Sequence, residues 1–193
     1  MAPLAGAQPN ILLVLVDQHR YDCVACNGNR LIRTPVLDRL AAQGVGFSNA
    51  YTPSPLCVPA RTSLLHGCWP GRHGCIVNDG LGVPHRDTQT MPSFSAQLKQ
   101  AGYWLGHVGK WQVSAGTPPA AFGFDRSVSR EGYESWRASR GRPPIPHANG
   151  WFGEVDPHIS ANESRLGWEA DRVVDMIGTR TSRKQPFFIR WDC

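Results

Sequence analysis

The sequence predicts an α/β protein built on a mostly parallel, helix-covered sheet. A continuous apolar run at Ile11 to Val16 reads as a strand buried on both faces, as in parallel sheets, and the largely apolar runs at Tyr103 to Val108 and Pro186 to Trp191 read as further strands. Between them lie segments with apolar residues at helical spacing, so strands and helices alternate. The chain of 193 residues is 41% apolar and 18% charged, which is enough for a core and excludes disorder by composition.

The first run follows Pro9-Asn10 and delivers Asp17 and Gln18 at its carboxyl end. In open parallel sheets the ligand crevice lies beyond those strand ends, so Asp17 is a candidate metal ligand as well as a candidate turn cap. Thr34-Pro35 opens a helix, with Thr as N-cap and Pro at the first position. Leu37, Leu40 and Ala41 keep the spacing, Asp38 and Arg39 fall on the solvated face, and Gly44 ends it. Val45 to Tyr51 reads as a further strand. A helix then starts at or just after Cys57, with Pro59 in its first turn and Gly67 at its end. Arg72-His73-Gly74 and Asn78-Asp79-Gly80 read as turns.

Ser93 caps a helix to Ala101 that Gly102 stops, and the strand from Tyr103 runs into Gly109-Lys110-Trp111-Gln112. His107, on that strand, reads as a packed residue. Residues 114–160 read as an irregular insertion rich in Arg, Pro and Gly. It is either a solvated loop or a lid walled by Trp136, Trp151 and Phe152. Leu166, Ala170, Val173, Val174 and Ile177 place a helix over Glu163 to Ile177, ahead of the last strand.

The net charge of +5 is scattered and accompanies no nucleic-acid motif, so no nucleic-acid partner is expected. The opening MAPLAGAQPN has no basic region and no apolar core. No stretch is long enough to span a membrane, so the expected location is cytoplasmic, with no membrane partner. Six cysteines would then be mostly reduced thiols. Cys23 and Cys26 form one C-x-x-C without a second, which leaves a zinc-binding thiol protein as an alternative.

The chemistry concentrates in PLCVPARTSLLHG, residues 55–67. Cys57 lies at a helix N-terminus, where free N–H groups and the dipole favour negative charge. Arg61 lies one turn on, along the same face. A buried cysteine beside a surface arginine would give the same first two residues. The longer pattern, C-x-P-x-R followed by T-S-L-L-x-G, resembles the signature of the type I sulfatases. TPVLDRLAAQGVGFSNAY resembles that family's first helix and the strand after it. Gly109-Lys110-Trp111-Gln112 resembles its G-K-W-H, and Asp17-Gln18 its acidic metal-binding pair at the end of the first strand. The resemblance covers Pro9 to Lys110 well and the last thirty residues loosely.

The resemblance implies the alkaline-phosphatase-like fold and a sulfuric ester hydrolase acting on a small-molecule sulfate ester. Cys57 would be converted to formylglycine by a formylglycine-generating enzyme, and the aldehyde hydrate would supply the attacking oxygen. Asp17, Gln18 and position 57 would hold Ca²⁺ (or Mg²⁺ or Mn²⁺), Arg61 would orient the hydrate, and Lys110 and Gln112 would contact the sulfate. Gln18 loses a charge against the family pair but keeps a carbonyl oxygen for a hard cation. Gln112 can donate a hydrogen bond but cannot move a proton near neutral pH as histidine can. Asn78 stands where related phosphonate hydrolases and choline sulfatases often carry an amide, and is a candidate substrate contact or a plain turn residue.

The family is longer, and its second acidic metal-binding pair comes from a later segment. No D-H-G or D-N-G follows Lys110, and Asp192 lacks those neighbours. Residues 1–193 are therefore expected to be an N-terminal portion of a sulfatase catalytic domain, poorly active alone. Two further alternatives are a phosphonate or phosphate ester hydrolase, against which Lys110 argues, and a non-catalytic anion-binding fragment.

Overall fold

In a computed structural model, which describes residues 8–114, 116–145 and 156–193, the first apolar run forms β1, Ile11–Leu15. α1, Pro35–Gln43, begins where Thr34-Pro35 predicts it. α2 spans Cys57–His66 and ends on the left-handed Gly67. α3, Pro70–His73, is a single turn where the sequence suggested only a loop bend. α4, Phe94–Gln100, is capped by Ser93, whose Oγ accepts the Ala96 N–H at 3.2 Å. β2, Trp104–Gly109, β3, Arg126–Val128, α5, Arg130–Ser139, α6, Arg165–Ser182, and β4, Phe187–Asp192, complete the order. All strand pairs are parallel and the sheet runs β1-β4-β2-β3.

The core lies on both faces of β2 and β4. Alternate side chains send Tyr103, Leu105 and Phe188 to one face with Leu65, Phe122 and Phe124. Trp104, Val108, Phe187 and Ile189 go to the other, against Val173 and Met176 of α6. Cα alternation along strands produces this division, and two-sided burial explains the apolar runs.

Three expectations need correction. Val45 to Tyr51 is not a strand: it runs irregularly, with Phe47 76% and Tyr51 87% exposed. Its β-branched and aromatic residues favour a strand only when a neighbour strand offers partners, and the free edge of β1 has none among the described residues. β1 is also not buried on both faces, because Leu12, Val14 and Val16 are each nearly half exposed. The stretch 114–160 is not uniformly irregular, since it contains β3 and α5.

Trp136, expected as a lid wall, stacks instead on Tyr133 and packs near Trp168 of α6. Trp151 and Phe152 lie outside the described residues. α6 starts two residues later than expected because Ser160 and Glu163 close a separate capped turn, and Ser164 then caps α6 through the Gly167 N–H. Among the described residues no helix is long and apolar enough to cross a membrane.

Candidate active site

The carboxyl end of β1 and the N-terminus of α2 meet at one cleft of about 1000 Å³, whose walls include Asp17, Gln18, Cys57, Arg61, Trp69 and Asn78. Cys57 is the first residue of α2, preceded by an extended Leu56. No side chain of Leu56 can cap the helix. Asn78 does so from a distant loop, its Oδ1 accepting the Val58 N–H at 3.0 Å. That leaves the amide nitrogen as the only Asn78 donor for a substrate. Asn78→Ala is expected to cost about 1 kcal/mol of stability, the usual loss on removing an N-cap, measured by chemical denaturation.

Asp17 follows β1, and its main chain is tied to β4 by an N–H bond to the Cys193 carbonyl at 3.0 Å. Its carboxylate is the centre of the cluster. Lys110 Nζ donates to Asp17 Oδ2 at 2.5 Å and reaches Cys57 Sγ at 3.4 Å. Cys57 Sγ lies 4.0 Å from the same oxygen, and Arg61 Nη2 lies 3.7 Å from it. Four of the candidate residues, Asp17, Cys57, Arg61 and Lys110, thus gather around one carboxylate oxygen. Sequence distance hides this: Lys110 and Asp17 are 93 positions apart.

Gly109 makes the approach possible. It adopts φ 95°, and a Cβ there would lie 2.1 Å from the Asp192 carbonyl oxygen. With no side chain, the end of β2 turns against the end of β4, and the Lys110 N–H donates to that carbonyl at 2.9 Å.

Gln18 is exposed on the cleft wall, with a left-handed φ of 54°. Gln112 is exposed, left-handed at φ 41°, and no hydrogen bond ties it to the cluster among the described residues. Among the described residues no bond therefore holds the Gln112 side chain within the cluster. His107 does not replace it. Its ring is buried on β2, with Nδ1 3.1 Å from Ser127 Oγ and Nε2 3.2 Å from Asp192 Oδ2. Burial, which favours the neutral ring, pushes the His107 pKa down against the opposing pull of Asp192.

Sequence reasoning set Asp192 aside, yet it is the buried anchor beneath the cluster. Burial works to raise its pKa, but hydrogen bonding and charge from His107 and Arg190 outweigh that and hold the carboxyl below its usual range. The available signal was an acidic residue ending an apolar strand, with Arg190 two positions earlier on the same face.

The donors suit one side of a hard-cation site. Asp17 offers a partly exposed carboxylate, Gln18 a carbonyl oxygen, and position 57 would offer an oxygen only after conversion of the thiol. Among the described residues, no group of three or more His, Cys, Asp or Glu could hold a metal ion. Cys23 and Cys26 both carry free thiols.

A family model described as Sulfatase matches residues 9–191. The chain is 39% identical to an arylsulfatase of Clostridium perfringens over 210 aligned residues, covering 95% of this chain and 42% of that protein. It is 31% identical to the N-acetylgalactosamine-6-sulfatase of Homo sapiens, covering 97% of this chain and 39% of that protein. The chain therefore spans about two fifths of the length of these relatives. The crystal structure of the phosphonate monoester hydrolase of Agrobacterium radiobacter superposes with a TM-score of 0.76 at 24% identity, over 96% of this chain and 40% of that one, which shows a shared fold. The α/β fold is thus the alkaline-phosphatase-like one, as far as the chain extends. With a match running from before β1 into β4, and with Cys57, Arg61 and Lys110 gathered at one carboxylate, this chain belongs to the sulfatase family.

Proposed function

We propose that the cleft is the nucleophile side of a sulfate-ester hydrolase site, with Cys57 the residue converted to formylglycine. The observation that carries this reading is the convergence of Lys110 and Arg61 on Asp17 beside Cys57. A sulfate ester spreads one negative charge over three outer oxygens. Lys110 meets such a group as a point charge and Arg61 as a planar fork. The N-terminus of α2 adds N–H dipoles of the same sign. Each donor aimed at charge developing in the transition state is worth about 2–4 kcal/mol.

Asp17 keeps the two cations near each other, and Lys110 Nζ is placed to donate to the atom at position 57. The formylglycine hydrate would supply the attacking oxygen there. A divalent cation such as Ca²⁺, held in part by Asp17 and Gln18, would polarise the ester and favour the deprotonated nucleophile. A formylglycine-generating enzyme is the partner this reading requires. Asn78 lines the cleft, and an amide there also suits a phosphonate ester; Lys110 favours sulfate.

Production of the chain beside a formylglycine-generating enzyme tests the reading. The peptide spanning position 57 is expected to lose about 18 Da, the covalent change from thiol to aldehyde. The converted protein is then assayed with an aryl sulfate and an aryl phosphonate. Conversion with preference for the sulfate supports the proposal. An intact thiol under those conditions overturns it, and preference for the phosphonate transfers the site to the second substrate.

A further inference from the structure

Asp192 is 1% exposed at the end of β4. Arg190 Nε donates to its Oδ2 at 2.6 Å and Arg190 Nη2 to its Oδ1 at 2.8 Å. Arg61 Nε donates to Oδ1 at 3.2 Å, and His107 Nε2 lies 3.2 Å from Oδ2. Both carboxylate oxygens are thus engaged inside the protein, so Asp192 does not serve a metal.

The informative group is the other end of Arg61. Its Nη2 is buried, has no hydrogen-bond partner among the described residues, and sits 3.7 Å from Asp17 Oδ2 on the wall of the cleft. A buried donor without an acceptor is costly, and a long side chain would turn to find one unless it were held. The holding groups form a chain. The Arg190 guanidinium lies over the Trp111 ring, 5.0 Å from its centroid, and chelates Asp192, which takes Arg61 Nε. The Asp192 carbonyl meanwhile accepts the Lys110 N–H at 2.9 Å. One residue fixes one cation through its side chain and the other through its main chain.

We propose that Asp192 is a positioning residue for Arg61, holding its unpartnered Nη2 toward the Cys57 pocket as a donor reserved for an oxygen of a bound tetrahedral anion. The identity of that anion rests on the sulfate-ester reading; the positioning does not. Fixing the guanidinium before binding removes the ordering cost when the anion arrives.

The test uses the full chain in its thiol form. Cys57 is alkylated in parallel with iodoacetate and iodoacetamide, and modification is followed by peptide mass spectrometry. The reagents share a reactive carbon and differ in charge, so the ratio of their rates reads anion donors at the pocket without any turnover. In Asp192→Ser, whose hydroxyl is too short to reach Arg61, the iodoacetate-to-iodoacetamide ratio is expected to fall about tenfold, the scale of one hydrogen bond to a charged group. Removal of a buried negative charge without movement of Arg61 would raise the ratio, so the sign separates positioning from simple electrostatics.

Asp192→Glu keeps the counter-charge for Arg190 and His107 but displaces the carboxylate. It should give a smaller fall, and it carries the test if circular dichroism shows the serine variant unfolded. In an Arg61→Met background neither change should lower the ratio. A ratio that stays or rises on Asp192 substitution, or a fall that persists without Arg61, overturns the proposal. Failure of the hydrolase reading would look different: no ester turnover, in a chain whose alkylation ratio still answers to Asp192.

Discussion

Replacing Asp17 with alanine is expected to lower sulfate-ester hydrolysis by a full-length, formylglycine-bearing version by about a hundredfold or more, the scale of a small misplacement of reacting groups. The expectation follows from geometry. Asp17 Oδ2 is 2.5 Å from Lys110 Nζ, 3.7 Å from Arg61 Nη2 and 4.0 Å from Cys57 Sγ. Without the carboxylate, two cations face each other with no counter-charge between them, and the flexible lysine has every reason to move into solvent. The proposed cation site loses a charged oxygen ligand at the same time. The fold should survive, because the Asp17 side chain is 25% exposed and its main chain is held independently by the Cys193 carbonyl. Turnover, calorimetric Ca²⁺ titration and thermal melting of the variant test this together. Full activity, or collapse of the fold, would show that Asp17 has a different role.

Gly109→Ala should act on the fold itself, with a loss of about 3 kcal/mol or more, combining left-handed strain with an overlap that cannot relax. An alanine Cβ at this position meets the Asp192 oxygen at 2.1 Å and its carbonyl carbon at 3.0 Å, both main-chain atoms of the neighbouring strand. Flexible side chains elsewhere can step aside; β4 can do so only by leaving β2. The Lys110 N–H bond to Asp192 and the Arg61 anchor would be disturbed together. Urea unfolding of the variant measures the effect, and a midpoint equal to that of the unaltered chain would refute it.

The parallel sheet was legible because two-sided burial leaves apolar runs, and the helix start at Thr34-Pro35 and the cap at Ser93 because the chemistry of helix ends is local. Cys57, Arg61 and Lys110 could be named from short motifs. Their meeting at Asp17 could not, since it depends on which strand ends become neighbours. The strand expected at Val45 to Tyr51 failed because β propensity needs a partner that the residues themselves do not encode. Gln112 was placed at the site by its position in a motif, whereas the backbone turns left-handed there and exposes it. Asp192 was passed over because its partner Arg61 lies 131 positions away, beyond the reach of a local pattern.

The strand order β1-β4-β2-β3 has a kinetic consequence. β1 is synthesised first, yet among the described residues its neighbour in the sheet is β4, so Ile11 meets Phe188 and Asn10 bonds the Phe187 N–H across 177 positions. Nothing in the sheet can receive β1 until β4 has been made, and closing so long a loop must precede any gain from the contact. During translation, Ile11 to Leu15 must leave the ribosome as an unpaired apolar segment and wait for roughly ten seconds or more at ordinary elongation rates. The half of the cleft that holds Asp17 therefore cannot settle until β4 has been made, and a nascent chain in this window is a natural client for chaperones that bind extended apolar peptide.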